Sequence, residues 1–321
     1  MSEDIFDVIR AASARVAANA RFVRIDDAGV GALVDELART PAADPDFDPG
    51  HHRVGDDDAT LAFVFTLNAI NFGSGWFPFL SKRPGLSGYM TIATNLKEHF
   101  LRAGPWSAEG LRALDAGDCA DVLEQDLTVA EVADLMALYA TAWNDLGRFV
   151  AERYDGRFSR VVESAAGSAA ALVQTLAGIS FYRDVSSYAG FEVPFYKRAQ
   201  ITAADLAVAF AQRGHGGFED LDRLTIFADN LVPHVLRCKG VLVYEPELSR
   251  RIDAEELLIP GSPEEVEIRA SALHSVERCV AGLADAGIRM TAQQVDYLMW
   301  THGQSPEIKA TPRHRARSTY Y

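Results

Sequence analysis

Apolar residues recur at three- and four-residue intervals along most of this chain, the period of an amphipathic helix. Val132, Leu135, Met136, Tyr139, Trp143, Leu146 and Phe149 form the longest such series, and Thr128 with Glu131 reads as a capping box ahead of it. Val30, Leu33, Val34 and Leu37 form another, with Asp26 or Asp27 as its cap. The clearest start signal is Ser262-Pro263-Glu264-Glu265: a serine cap, proline in the first turn and glutamate at the third position. It predicts a helix running to about Gly287, a glycine stop. Thr291 and Gln294 open a further helix that carries Asp296, Tyr297 and Trp300.

Strand patterns are shorter. Residues 61–66 are an apolar run that reads equally as a buried strand or the start of a helix, and residues 87–92 and 241–244 are similar short candidates. The expected fold is therefore mainly α, two-lobed, with at most a small β element. A polar loop over residues 41–58 sets an N-terminal helical segment, residues 1–58, against a helical body, residues 59–321, and the two are expected to form one functional unit.

Composition narrows the function. At 321 residues, 48% hydrophobic and 24% charged, the chain has the balance of an ordinary globular protein and needs no disulfide or metal to close a core. The net charge of −14 disfavours broad binding to a polyanion, so any phosphate affinity must be local, and a small phosphorylated metabolite fits better than a length of nucleic acid. Cys119, Cys238 and Cys279 are far apart and form no zinc framework. Neither a signal peptide nor an apolar run long enough to span a membrane is visible, and the cytosol is the expected location.

Three segments concentrate chemistry. Phe195-Tyr196-Lys197-Arg198-Ala199-Gln200 sets two cations beside two rings, and Phe181-Tyr182-Arg183-Asp184 repeats the theme. Phe227-Ala228-Asp229-Asn230 follows an apolar run and precedes Pro233, which makes Asp229 or Asn230 a plausible helix cap. Asn71-Phe72-Gly73-Ser74-Gly75-Trp76 is a glycine-bearing loop able to approach a flat ligand closely. His51 and His52 lie in the polar loop, where a phosphate contact suits them better than a metal with no third ligand. Each segment also has a bland reading, as cap, solvated pair or core aromatic. Together they can bind an anion, stack a ring and hold a carboxylate near a developing cation, which suits cleavage of a nucleotide's glycosidic bond.

The same segments, with Glu265-Val266-Glu267-Ile268-Arg269, Asp296-Tyr297-Leu298-Met299-Trp300, Arg313-His314-Arg315 and Tyr320-Tyr321, give the chain its resemblance to the queuosine salvage proteins. That family frees the base queuine from queuosine 5′-phosphate, and the likeness runs from about Phe63 to the end of the sequence. It implies a helical fold similar to helix-hairpin-helix DNA glycosylases, with Asp229 in the aspartate role that supports an oxocarbenium-like sugar. Lys197 either holds the 5′-phosphate, with Arg198 or Arg183, or sits beside Asp229 and keeps it ionised; the phosphate role is favoured, with His51 as a further phosphate contact. The base then falls to Phe227, Tyr196 and Trp300 for stacking, to Glu267, Arg269 and Asp296 for polar contacts, and to Asn71 and Trp76 of the glycine loop. No cofactor and no metal are implied. Two rivals stand: a glycosylase acting on nucleic acid, and a non-catalytic protein that sequesters a modified base or nucleotide.

Overall fold

The computed structural model describes residues 4–41 and 53–321. They form two compact units whose segments interleave along the chain. One holds residues 4–41, 185–197 and 222–317; the other holds residues 53–184, 198–221 and 318–321. Helices dominate both, and the strands described make two antiparallel pairs.

The first unit is built around the Pro263–Asp285 helix. Ser262 caps it by accepting the Glu265 amide, and Pro263 starts it, as the sequence predicts. Val266, Ile268, Leu273, Val276, Cys279 and Leu283 are all buried, so the helix is an axis of the core rather than a surface element. The Ile5–Ala18 helix lays Phe6, Ile9 and Val16 against it, and the Asp27–Ala38 helix, capped by Asp26, adds Val30, Leu33 and Leu37. Val23–Ile25 pairs with Leu242–Tyr244, so the 241–244 pattern is indeed a strand. Val185–Tyr188 and Phe191–Pro194 form a hairpin. Its two-residue turn, Ala189-Gly190, has positive φ at both positions, the turn whose twist matches that of the strands.

The second unit is organised by the Ala130–Tyr154 helix, which carries the predicted apolar series. The expected capping box does not form there. Val129 takes the cap position, and both the amide and the hydroxyl of Thr128 donate to Asp126 instead. Residues 61–66 lie in the Asp57–Ala69 helix, in which every residue from 60 to 69 is buried. A helix buried all round has no periodicity to display, which is why the pattern left the choice open. Residues 87–92 are helical as well: Ser87 caps the Gly88–Ala103 helix. Among the described residues no helix is long and apolar enough to cross a membrane.

The basic C-terminal segment is folded in. Within the first unit Ala316 bridges to Leu258, and His314 and Ala316 are buried. Within the second, the Tyr321 carbonyl accepts the Gly73 amide at 3.0 Å, with Ser318 and Tyr321 buried.

Candidate active site

Asp229 stands where an extended segment meets the Val232–Cys238 helix, inside the first unit. It is not the cap residue proper. Its Oδ1 accepts the amides of Leu231 at 2.7 Å and Val232 at 3.2 Å, a turn that satisfies two donors at the helix start and fixes the carboxylate. Among the described residues nothing donates to Oδ2. Asp229 is half-buried, so this second oxygen is held in a partly dry setting by a rigid anchor.

Asp296 faces the same place from the Ala292–His302 helix, whose Thr291–Gln294 capping box forms as predicted. It is 6% exposed, and its Oδ1 accepts the Phe227 amide at 2.8 Å. Burial pushes its pKa up and the negative charge of Asp229 pushes it further. The Phe227 hydrogen bond and the charge of Lys197 pull the other way, and the balance lies at about 7. Two carboxyl groups thus share one site, and burial together with the Asp229 charge favours the protonated form of Asp296.

Lys197 opens the Lys197–Ala209 helix and is 4% exposed, a buried cation within electrostatic reach of Asp296. Tyr196, just before it, has φ of 47°, a left-handed conformation that an aromatic residue adopts only under constraint. It makes the corner between the Phe191–Pro194 strand and the helix. Arg313, which the sequence reading did not single out as a site residue, is half-buried near Asp229. Burial lowers its pKa and the Asp229 charge raises it. Its signal in the sequence was the Arg313-His314-Arg315 segment, which contributes to the family resemblance without assigning a role to any one of its residues.

Other expected contacts go elsewhere. Glu267 is fully buried, but its Oε2 accepts the amides of Arg21, Phe22 and Val23, and its Oε1 accepts the Tyr188 hydroxyl at 2.8 Å. Both oxygens are engaged by the protein, so Glu267 is a structural staple rather than a reader of the base. Arg269 donates from Nε to the Ala228 carbonyl at 2.8 Å and stacks on Phe195, which places it behind Asp229. Phe227 and Tyr196 are half-buried, and Trp300, at 36%, is exposed on the helix that carries Asp296.

Arg198, Arg183, Asn71 and Trp76 belong to the second unit. Arg198 is buried, with its guanidinium over the rings of Phe72 and Tyr182 and its nitrogens donating to the carbonyls of Ala69 and Thr319. A cation held so is part of the core. Asp184 is buried and attracts Arg198, while Arg183 is exposed. Asn71 donates to Asn68 at 3.1 Å, and Trp76 is buried. His51 lies outside the described residues.

A groove of about 630 Å³ in the first unit is lined by Arg21, Phe22, Arg24, Tyr244, His274 and Arg278, among others, and by none of the site carboxylates. Its Arg24 and Arg278 are already paired with Asp26 and Asp27, each at 2.7 Å. Asp229 and Asp296 stand apart from the residues that line this groove.

The family model described as Queuosine salvage protein matches residues 51–321. The queuosine 5′-phosphate N-glycosylase/hydrolase of Sphaerobacter thermophilus is 34% identical over 315 residues, covering 96% of this chain and 95% of that protein. The mouse protein of the same name is 28% identical over 328 residues, covering 95% and 96%. That of Dictyostelium discoideum is 34% identical over 178 residues, covering 55% and 56%.

Proposed function

The chain belongs to the queuosine salvage protein family, and we propose that it is a hydrolase of N-glycosyl bonds that cleaves queuosine 5′-phosphate to queuine and ribose 5-phosphate. The observation that carries the chemistry is the carboxyl pair: Asp229 anchored through one oxygen, with no donor to the other among the described residues, and Asp296, its pKa raised to about 7, beside it.

Breaking the bond leaves positive charge at the anomeric carbon, and a fixed carboxylate in a partly desolvated site stabilises that charge without reorganising. In our assignment Oδ2 of Asp229 faces the sugar and orients the attacking water. The water's oxygen bonds to the anomeric carbon and its proton passes to Asp229. The electron pair of the broken bond leaves with the base. Queuine is a 7-deazaguanine, with carbon where a purine has its basic imidazole nitrogen, so the usual protonation of the leaving group is closed. Asp296 in its protonated form supplies the alternative, giving a hydrogen bond or a proton to the base's carbonyl or to a ring nitrogen. Lys197 and Arg313 are assigned to the phosphate, where two local cations offset the acidic background of the whole chain. Phe227, Tyr196 and Trp300 are assigned to the face of the base.

The net charge of −14 favours a free nucleotide, met in the cytosol, over intact tRNA as substrate. Base release from queuosine 5′-monophosphate, followed by liquid chromatography, tests the assignment. Wild type should turn over, and Asp229→Asn should lose at least about a hundredfold in kcat while still binding substrate. Binding by wild type without release would favour a sequestering protein. Release from intact tRNA would favour the nucleic-acid enzyme.

A further inference from the structure

We propose that Arg269 is a positioning residue for the hydrolysis, its guanidinium tying the corner that carries Lys197 to the loop that carries Asp229. The inference rests on the assignment of Asp229 as the carboxylate that acts at the sugar.

Arg269 lies in the second turn of the Pro263–Asp285 helix and is 0% exposed. Its Nε donates to the carbonyl of Ala228, the residue before Asp229. Its Cζ sits 4.0 Å from the centroid of the Phe195 ring, two residues before Lys197. One edge of the guanidinium therefore holds the first loop, and one face holds the second. Only a planar side chain does both at once; a lysine ammonium can replace the hydrogen bond or the stack, not the pair. The charge of Arg269 is matched within its own helix by Glu265, 3.6 Å away, which is itself fixed by the Gly261 amide at 3.0 Å. Asp296 responds to the charges of Asp229 and Lys197, which sit on the two loops that Arg269 joins. The contribution of Arg269 is accordingly geometric.

The loops need such a tie. Tyr196, between Phe195 and Lys197, holds a strained positive φ that persists only where its surroundings over-determine it. On the other loop, Phe227 aligns Asp296 through its amide, and Asp229 follows two residues later. A small displacement of either loop moves both carboxyls relative to each other and to Lys197. Misplacement by about 1 Å in such a constellation costs on the order of a hundredfold in rate.

The test measures kcat and KM for base release from queuosine 5′-monophosphate by wild type, Arg269→Lys and Phe195→Leu, each also in an Asp229→Asn background, with circular dichroism melts of every variant. Arg269→Lys should lose about ten- to a hundredfold in kcat with KM within about threefold of wild type. In the Asp229→Asn background the same change should alter the residual rate by less than about twofold, because a displaced carboxylate and an absent one are equivalent. Should Arg269→Lys fail to fold, Phe195→Leu carries the same cycle. An equal loss in both backgrounds, or no loss in either, overturns the positioning role and leaves the Asp229 assignment standing. Absence of turnover by wild type overturns both.

Discussion

Asp296 sits in an environment that departs far from what its type alone suggests. An ordinary aspartate is ionised at neutral pH, whereas burial and the neighbouring Asp229 raise this one to about 7. If it must be protonated to assist the departing base, kcat falls as pH rises through about 7, and Asp296→Asn, lacking the proton but keeping an acceptor for the Phe227 amide, removes that limb of the profile. Stability responds in the same window with a definite sign. The folded state holds the Asp296 proton up to about 7 while the unfolded chain releases it near 4, so the folded protein binds more protons between those values and stability declines as pH rises through them. Each pKa unit corresponds to about 1.4 kcal/mol, so the ionised group costs on the order of 4 kcal/mol above pH 7. Asp296→Asn is therefore expected to melt higher than wild type at pH 8 and to match it near pH 4, while losing activity. Paired melts at the two values check this, and equal shifts at both would contradict it. A site residue that destabilises its own fold is the ordinary exchange between stability and activity.

At the scale of elements, Glu267 separates what a motif suggests from what a fold uses. It shares the Glu265-Val266-Glu267-Ile268-Arg269 run with Arg269, yet it points to the other side of the helix and gathers three amides and a hydroxyl. Glu267→Gln should lower stability by roughly 2–4 kcal/mol, since the three converging amides lose their charged acceptor and the Tyr188 hydroxyl must turn to the Asn19 carbonyl alone. The KM of the folded variant, measured well below its melting temperature, should stay at the wild-type value; a raised KM would return Glu267 to the base. What the sequence made legible follows the same division. Ser262-Pro263 and the Thr291–Gln294 box announced their helices because capping is local chemistry. Asp229 was legible as an anchor of a helix start for the same reason. The Thr128–Glu131 box failed because Asp126 competes for the same hydroxyl and amide. Glu267, Arg269 and Arg198 were assigned to ligand because a buried charge in a motif looks alike from the sequence whether it meets substrate or a backbone carbonyl. The partners that decide lie far along the chain, as with Arg269 and Ala228, 41 residues apart. Arg313 went unassigned because its proximity to Asp229 is a matter of tertiary folding alone.

Over the whole molecule, the chain repeatedly leaves one compact unit and rejoins it, so a segment's place in the sequence says little about which core it completes. The C-terminal residues are the sharpest case. Thr319 accepts from Nη2 of Arg198 at 2.8 Å, and Tyr321 accepts from the Gly73 amide, both inside the second unit. Arg198 is fully buried, and burial lowers its pKa to about 10 against the attraction of Tyr182 and Asp184. A guanidinium in that position is tolerated only while its hydrogen bonds are made. Deleting residues 318–321 withdraws one of its carbonyl partners and the acceptor of Gly73 together. The expected cost is about 3–5 kcal/mol, the range for stranding a buried charge. Hydrogen exchange read by mass spectrometry should locate it: the Gly73 amide and the first turns of the Lys197–Ala209 helix should lose protection. Replacing Arg198 by methionine in the truncated chain should recover much of the loss, because an apolar side chain of similar length leaves no charge to strand. If the truncated chain keeps full protection around Gly73, the tail is not part of that core, and the buried arginine is held by Ala69 and its aromatic neighbours alone.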